Sequence, residues 1–334
     1  MKNKGYLLTD AGNFQLIDEK LPKELPEHSV LLQIEYCGIC GGDYSCYLGR
    51  RVEYPKSLGH EFTGTVLSVG KTVRMLQVGD CVVSDLNYRC GSCTYCTTGK
   101  SHLCTYNDAE RFSNRAFFKY MIIDETYLYR IKMTPSVLYR ATLIEPLSCV
   151  IHSYDRSKGS GWKNILVNGC GSIGMLLCFY LKNVVKNYNS NVFVYDINTQ
   201  RSAALSQHFG VKCIDSISEE CFDGVYECTN SIAGIEISLR SVKRGGDLCI
   251  MSHLYGEQTS FVYETICKKE LHPVFPLRNG SPVNMITAIK GIETCWNASL
   301  DSLLGIYMFN DLPGVFREKE KIGYNKQIIK IHMP

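Results

Sequence analysis

The sequence lacks any run of about 18 consecutive apolar residues, the length that a membrane-spanning helix needs. It also lacks a signal-peptide pattern, because Met1–Leu8 contains no apolar segment of signal length and is predicted to be a first strand. Charge of one sign is not in excess: the formal net charge of +3 is too small to indicate binding to nucleic acid or a membrane surface. Internal repeats and low-complexity tracts are absent. These absences predict a cytoplasmic globular protein with neither of those partners.

Cysteine, in contrast, is abundant, with 17 in a chain of 334 residues. A secreted disulfide framework would be shorter and would carry a signal peptide, so thiolate–metal chemistry plus buried free thiols is the better interpretation. The length allows two domains, and the composition of 45% hydrophobic and 21% charged residues is ordinary for a globular protein.

A metal site is indicated by residues from three separate stretches. His60 and Glu61 stand side by side in Leu58-Gly59-His60-Glu61, just before an alternating apolar run that is typical of a strand. Cys40 lies upstream, and Glu145 lies downstream in Glu145-Pro146-Leu147. Cysteine, histidine and glutamate form a plausible three-ligand zinc set with an open fourth position, as catalytic zinc requires.

A second metal site is predicted from four cysteines alone. Cys90, Cys93, Cys96 and Cys104 have the spacing C-x2-C-x2-C-x7-C. In a reducing compartment such a set forms a closed tetrahedral site without room for substrate. An iron–sulfur cluster is the main alternative, but that pattern requires a nearby fourth cysteine followed by proline, and Thr105 follows Cys104. Structural zinc is therefore expected.

A nucleotide-binding turn is predicted after the short apolar strand Ile165–Asn168. The fingerprint Gly169-Cys170-Gly171-Ser172-Ile173-Gly174 separates this strand from a helical pattern, and glycines there allow a diphosphate to approach the helix N-terminus. The next strand ends in Asp196, which would bind ribose hydroxyls and repel a 2′-phosphate. NAD is therefore favoured, while Arg201 nearby keeps NADP as a minority option.

The alternation of strands and helices continues to about residue 251, which predicts a parallel, doubly wound sheet. The pattern is weaker beyond about residue 280. The final segment, Lys326–Ile331, has the alternation of a strand and is expected to return to the first domain.

The chain resembles the zinc-containing medium-chain dehydrogenase/reductase family over nearly its whole length. Several independent motifs occur in family order: Gly59-His60-Glu61-x-x-Gly64-x5-Gly70-x-x-Val73, the four cysteines from Cys90 to Cys104, Glu145-Pro146-Leu147, and Gly169/Gly171/Gly174 with Asp196. The Glu-Pro-Leu element is similar to that of the sorbitol and threonine dehydrogenase branch, where the glutamate lies at the zinc. The alcohol dehydrogenase branch proper has cysteine at this position.

The resemblance implies an α/β architecture of two domains. A β-rich GroES-like catalytic domain would comprise residues 1–152, with the structural-zinc lobe at 90–104, and would be completed by residues 286–334. A Rossmann domain for NAD would comprise residues 153–285. Homodimers or homotetramers are also implied.

The resemblance further implies a mechanism in which zinc on Cys40, His60 and Glu145 binds the alcohol oxygen, and hydride passes to the nicotinamide. Glu61 would be either a further ligand or an outer-shell group. Asp43 is a plausible hydrogen-bond acceptor for the ligating imidazole.

One position departs from the family pattern. Serine or threonine usually stands two residues after the zinc cysteine and relays the substrate proton, whereas this chain has Gly42. Ser45, Tyr44, Glu61 or a water would replace this hydroxyl, or the zinc site is catalytically altered. Loss of the relay would lower the rate by about 10²–10⁴-fold.

A branch that also lacks this hydroxyl could be the bacterial ribulose-5-phosphate reductases, which form ribitol 5-phosphate for cell-surface polymers. A phosphate site for such a substrate could come from basic residues in the predicted loops. The candidates are Arg50, Arg51, Lys56 and Arg278.

The favoured function is a zinc- and NAD(H)-dependent dehydrogenase that interconverts a secondary alcohol of a polyol, sugar or sugar phosphate with its ketone. The alternative enzyme is a ribulose-5-phosphate reductase using NADPH, which Asp196 disfavours. An alternative of another class is a non-catalytic relative that binds nucleotide or has a structural role. Gly42 favours it, and the complete ligand set and fingerprint argue against it.

Overall fold

The computed structural model describes residues 2–50, 53–85, 89–104, 115–157, 162–185, 189–254 and 260–332. Its strands are β1 (Lys2–Asp10), β2 (Asn13–Lys20), β3 (Ser29–Gly38), β4 (Lys56–Ser57), β5 (Glu61–Val69), β6 (Cys81–Ser84), β7 (Tyr120–Asp124), β8 (Leu128–Arg130), β9 (Asn164–Asn168), β10 (Asn191–Tyr195), β11 (Lys212–Cys213), β12 (Phe222–Glu227), β13 (Val242–Ile250), β14 (His272–Val274), β15 (Leu304–Met308) and β16 (Lys326–Lys330).

The α-helices are α1 (Gly41–Tyr47), α2 (Thr94–Thr97), α3 (Ile144–Ser157), α4 (Ser172–Phe179), α5 (Thr199–Phe209), α6 (Ile232–Ser241), α7 (Ser260–Lys269), α8 (Pro282–Cys295) and α9 (Leu312–Arg317). Short 3-10 segments include Pro135–Leu143, which leads into α3, and Ala298–Leu303. Within the described residues, no helix combines the length and apolar character needed to cross a bilayer.

The N-terminal half is built on β-sheets. A seven-stranded sheet has the order β15-β16-β3-β5-β6-β8, with β7 also paired to β3, and a smaller sheet has the order β2-β1-β4. Alternate residues of β3 point into the core, where Val30, Leu32 and Ile34 have no solvent-exposed surface. The C-terminal strand β16 pairs antiparallel with β3, as its alternation and late position predict.

The second half contains the parallel sheet that the strand–helix alternation predicts. Its six strands have the order β11-β10-β9-β12-β13-β14, and every pair in it is parallel. Counted from β9, this is the Rossmann order 3-2-1-4-5-6, in which ligands bind where the order reverses, between β9 and β12. The predicted fold class, a β-rich GroES-like unit with a Rossmann sheet, is therefore confirmed.

Helix α8 was not anticipated, because the sequence pattern weakens beyond about residue 280. It begins after Ser281, which forms a capping box with Asn284, and Pro282 occupies the first turn. Leu147 of α3 and Met285 and Ile292 of α8 belong to one buried apolar cluster that also includes α4. The expected domain boundaries at 152/153 and 285/286 thus fall inside α3 and α8.

Candidate active site

The site begins where β3 passes into α1. Cys40 precedes this helix, and its Sγ accepts a hydrogen bond from the Gly42 backbone N–H at 3.4 Å. The Asp43 carboxylate accepts from the Cys40 N–H at 3.1 Å through Oδ2, so helix capping fixes both side chains. Asp43 has only 2% of its surface exposed. The short helix therefore holds a thiol before its first turn and a buried carboxylate within that turn.

His60 lies beside Asp43, just before β5 begins. Asp43 Oδ1 accepts from the Gly59 N–H at 3.3 Å and stands 3.5 Å from His60 Nδ1. Burial opposes ionisation of Asp43, but His60 and the backbone N–H groups of Cys40 and Gly59 bring its pKa below the usual range. Because Nδ1 faces the carboxylate, Nε2 is the nitrogen left for a ligand, the arrangement that ligating histidines usually show.

Cys40, His60 and Glu61 form one compact group of potential ligands. Their Sγ, ring-nitrogen and carboxylate-oxygen atoms all lie within 4.8 Å of one another. Sulfur, imidazole nitrogen and carboxylate oxygen are the donors that zinc binds in proteins. The donor set and its spacing therefore fit a zinc ion.

Glu61 also has a partner that sequence reasoning missed. Lys326, the first residue of β16, is fully buried and donates from Nζ to Glu61 Oε2 and to the Ile39 carbonyl, the latter at 3.2 Å. Burial disfavours the charged lysine, yet the Glu61 and Cys40 side chains raise its pKa above the ordinary value. The strand pattern around Lys326 does not indicate this contact, because Glu61 is 265 residues away in the sequence.

Glu145 lies in the first turn of α3, buried near the same group but outside the set within 4.8 Å. Burial raises its pKa to about 7, an effect that His60 reduces and Glu61 increases. Cys149, one turn further along α3, approaches Glu145 Oε1 with its Sγ at 3.5 Å. The structure thus brings two carboxyls, Glu61 and Glu145, to the Cys40–His60 pair.

Two residues that could replace the relay hydroxyl missing at Gly42, Ser45 and Tyr44, already form hydrogen bonds with other groups. Ser45 is buried; its Oγ donates to the Gly41 carbonyl at 3.1 Å and accepts from Asn230 Nδ2 at 3.3 Å. Tyr44 donates to Glu320 Oε1 at 3.2 Å, and burial, assisted by Glu320, raises its pKa to about 12. Neither hydroxyl proton is free in this arrangement.

The glycine-rich turn has the geometry that its sequence predicts. Gly169 has a φ of +99°, and a Cβ on Gly174 would stand 1.9 Å from the Gly169 carbonyl oxygen, so both positions require glycine. A Cβ on Gly171 would meet nothing within 4 Å. That open space lies at the N-terminus of α4, which Ser172 and Ile173 begin, and it fits a diphosphate group.

Asp196 and Arg201 have different surroundings. Asp196 accepts from the Cys170 N–H at 2.6 Å and from the Asn198 N–H at 2.8 Å, which fastens the end of β10 to the fingerprint turn. Arg201 instead donates through Nη2 to the carbonyls of Ile322 and Lys319, at 2.6 and 3.3 Å. Its guanidinium therefore links α5 to the C-terminal segment by hydrogen bonds.

Strand β16 connects the nucleotide turn with the metal-ligand group. Asn325 Nδ2 donates to the Cys170 carbonyl at 2.6 Å, and Ser172 Oγ donates to the Asn325 carbonyl at 3.3 Å. The next residue, Lys326, contacts Glu61. Two consecutive residues thus contact both halves of the candidate site.

The four-cysteine lobe is assembled as a closed thiol cluster. Cys90 Sγ lies 3.9 Å from Cys96 Sγ, and Cys93 Sγ lies 3.7 Å from Cys104 Sγ. A regular tetrahedron of sulfurs about 2.3 Å from zinc has edges of about 3.8 Å. The spacing of the thiols therefore fits a tetrahedral zinc ion without rearrangement.

The basic residues considered for a phosphate site come from different elements. Arg50 is exposed at the end of the α1 segment, close enough to Tyr44 for its charge to lower the tyrosine pKa. Lys56 is exposed on β4, paired with Leu8, and Arg278 lies near His102, whose pKa its charge lowers. Arg51 lies outside the described residues. The three described residues thus belong to three different elements or turns.

Comparisons with known proteins agree with this architecture. Residues 26–133 match the family model "Alcohol dehydrogenase GroES-like domain". The chain is 27% identical over 290 residues to sorbitol dehydrogenase of Halalkalibacterium halodurans, covering 81% of this chain and 83% of that protein. It is 28% identical over 276 residues to D-arabitol-phosphate dehydrogenase of Enterococcus avium, covering 76% of each.

Among solved structures, galactitol-1-phosphate dehydrogenase of Escherichia coli superposes with a TM-score of 0.82 at 21% identity, covering 98% of this chain and 99% of that one. At this identity the likeness establishes the fold. The matched domain and the relatives confirm the family resemblance of the motifs. The chain is therefore similar, over most of its length, to zinc-type medium-chain alcohol and polyol dehydrogenases.

Proposed function

We propose that this protein is a zinc- and NAD(H)-dependent dehydrogenase that interconverts a secondary alcohol of a polyol, sugar or sugar phosphate with its ketone. One observation supports this most strongly: Asn325 and Lys326 link the glycine-rich turn directly to the Cys40–His60–Glu61 group. Hydride transfer needs the nicotinamide and the alcohol carbon to meet, and this link holds their two candidate sites side by side.

The substrate class is proposed from the relatives and the polar character of the site. Sorbitol dehydrogenase and D-arabitol-phosphate dehydrogenase are named for a polyol and a polyol phosphate. We include both classes, because neither the buried carboxyls nor the engaged hydroxyls select one of them.

Zinc held by Cys40 and His60, with Glu61 or Glu145 as the carboxylate ligand, would supply Lewis acidity that lowers the pKa of the substrate hydroxyl. The chain's own residues prepare the site. Asp43 Oδ1 lies 3.5 Å from His60 Nδ1 and orients the imidazole ring. Lys326 balances the charge of Glu61 where both side chains are buried.

NAD is the proposed cofactor, because Asp196 places a negative charge at the end of β10 and Arg201 Nη2 donates to carbonyls of the C-terminal segment. We also propose that the four-cysteine lobe binds a structural zinc, and that the protein forms homodimers or homotetramers. The division into a GroES-like unit (1–152 with 286–334) and a Rossmann unit (153–285) remains part of this proposal.

The test is a turnover screen with NAD⁺ and NADP⁺ over polyols and polyol phosphates, and with the reduced cofactors over ketoses and ketose phosphates. Cys40→Ala is compared with Cys46→Ala, which removes a buried thiol from the same helix without touching the ligand group. NAD-linked turnover that is lost in Cys40→Ala and kept in Cys46→Ala is expected. A zinc-loaded wild-type protein that turns over none of these compounds would instead support a non-catalytic relative.

A further inference from the structure

Lys319 is a cation near the candidate ligand group that the proposed mechanism does not yet use. It lies in the turn after α9 (Leu312–Arg317), and its Nζ stands 4.4 Å from the centre of the Tyr44 ring. Tyr44 belongs to α1, the helix that Cys40 precedes, and its hydroxyl donates to Glu320 of the same turn. The turn is therefore docked against the helix that presents the thiol ligand.

The other side of this turn contacts the nucleotide-binding half. Arg201 of α5 donates to the carbonyl of Lys319 itself, at 3.3 Å, and to that of Ile322. A few residues later, Asn325 donates to the Cys170 carbonyl inside the glycine-rich turn. Lys319 is thus held between the metal-ligand group and the expected diphosphate site.

Two charged groups near Lys319 have other partners. Glu61 pairs with Lys326, and the Arg201 guanidinium donates to backbone carbonyls. Within the part of the chain that the structure describes, no carboxylate oxygen lies within 4.0 Å of Lys319 Nζ; its close contact is the Tyr44 ring.

This arrangement disfavours the charged form of Lys319. Loss of hydration lowers the pKa of Lys319 to about 8; Lys326 and Arg201 lower it as well, while Cys40 and Asp43 oppose the shift. A partly desolvated ammonium with an aromatic face on one side is stabilised when an anion occupies the other. Lysine is a common phosphate binder because it offers a compact charge with three donors.

We propose that Lys319 binds a phosphate oxyanion between α1 and the nucleotide turn, supplied by the cofactor's diphosphate or by a phosphorylated substrate. The assignment rests on the proposed function, because a nicotinamide dinucleotide and a sugar phosphate are the anions which that reaction brings to this site. It makes Lys319 a binding residue that none of the sequence motifs includes.

The first experiment measures binding without catalysis. Titration calorimetry compares ADP-ribose, which contains the diphosphate, with adenosine, which lacks it. Lys319→Met should weaken ADP-ribose binding by about tenfold or more, the usual effect of losing one charge-assisted hydrogen bond, and leave adenosine unchanged. Lys319→Arg should retain most of the affinity. Lys321→Met is the matched control, because Lys321 is exposed and pairs with Glu318 at 2.8 Å.

The second experiment covers the substrate source. Sorbitol 6-phosphate and sorbitol are titrated into the zinc-loaded protein saturated with NADH, again in wild type, Lys319→Met and Lys321→Met. A selective loss of the phosphorylated compound in Lys319→Met would identify a substrate phosphate as the ligand, and a loss of ADP-ribose alone would identify the cofactor. If both affinities in folded Lys319→Met equal those of the control, the inference is wrong.

These binding readouts remain informative if the proposed function fails. A protein that binds ADP-ribose through Lys319 but turns over no alcohol would retain this inference and lose the catalytic one. A protein that turns over polyols while Lys319→Met behaves like Lys321→Met would show the reverse.

Discussion

At the scale of single residues, Lys326 and Glu61 form a buried ion pair in which each charge depends on the other for compensation. Neither side chain reaches solvent, with exposures of 0% and 2%. Replacing Lys326 with Met leaves Glu61 as an uncompensated buried charge. We therefore expect the free energy of unfolding, measured with urea, to fall by about 3–5 kcal/mol.

The control for this prediction is Lys330→Met, at the other end of β16, where the side chain is only half-buried. The double variant Lys326→Met/Glu61→Gln should regain part of the lost stability, because it also removes the uncompensated negative charge of Glu61. If Lys326→Met costs no more than Lys330→Met, the pair does not support the fold as described.

Two glycines of the nucleotide turn should behave in opposite ways. Gly174→Ala places a methyl group 1.9 Å from the Gly169 carbonyl oxygen, so it should destabilise the protein by about 1–3 kcal/mol or more, measured with urea. Gly171→Ala meets no neighbour within 4 Å, so stability should change by no more than about 0.5 kcal/mol.

Measuring NADH binding distinguishes a nucleotide-binding role of Gly171 from a role in packing. Gly171→Ala should weaken NADH binding in fluorescence titrations, because the methyl group occupies the space where the diphosphate approaches the backbone. Unchanged NADH affinity in a folded Gly171→Ala protein would mean that the nucleotide does not lie over this turn.

At the scale of elements, the four-cysteine lobe docks on α3 through two histidine rings. His102 of the lobe and His152 of α3 meet edge to face with ring centres 4.6 Å apart. Burial lowers the pKa of His152 to about 4, and the positive charges of His102 and Arg156 add to this effect. Burial and the charges of Arg156, Arg278 and Lys100 lower the pKa of His102 in the same direction.

The lowered pKa predicts an acid-sensitive contact. Folded His152 stays neutral below its ordinary pKa of 6.5, whereas the unfolded chain takes up the proton. Stability from this residue is therefore complete above about pH 6.5, falls as the pH decreases towards about 4, and falls no further below that. Urea unfolding between pH 4.5 and pH 7.5 should show a shallower decline in His152→Gln than in wild type.

The exposed His28 provides the comparison for this pH series. His28→Gln removes a histidine without touching the lobe contact. If the slope between unfolding free energy and pH is the same in His152→Gln as in His28→Gln, the lobe contact does not depend on a neutral His152.

At the scale of the whole molecule, the features predicted correctly from sequence were mostly local ones; the return of β16 to β3 is the exception. The strand, Gly169–Gly174 turn and helix lie within about fifteen residues, and the parallel sheet follows from the repeated alternation after them. The lobe cysteines are close in sequence too, so their spacing alone indicated a cluster. The family resemblance was detectable because several such motifs occur in order.

The features that sequence reasoning missed depend on distant parts of the chain. Lys326 meets Glu61 across 265 residues, and Asn230 meets Ser45 across 185. A strand pattern predicts which face is buried but not which partner that face meets, so Lys326 resembled an ordinary strand lysine. For the same reason Ser45 was considered as a relay, although its hydroxyl is held by Gly41 and Asn230.

The central claim is that Cys40, His60 and a carboxylate hold a catalytic zinc distinct from the zinc of the four-cysteine lobe. The most direct test is zinc content per chain in wild type, Cys40→Ala and Cys93→Ala, each paired with turnover. We predict two zinc ions in wild type and one in each variant, with turnover abolished in Cys40→Ala while its lobe zinc remains. A wild-type protein holding one zinc, retained in Cys40→Ala and lost in Cys93→Ala, would contradict the claim.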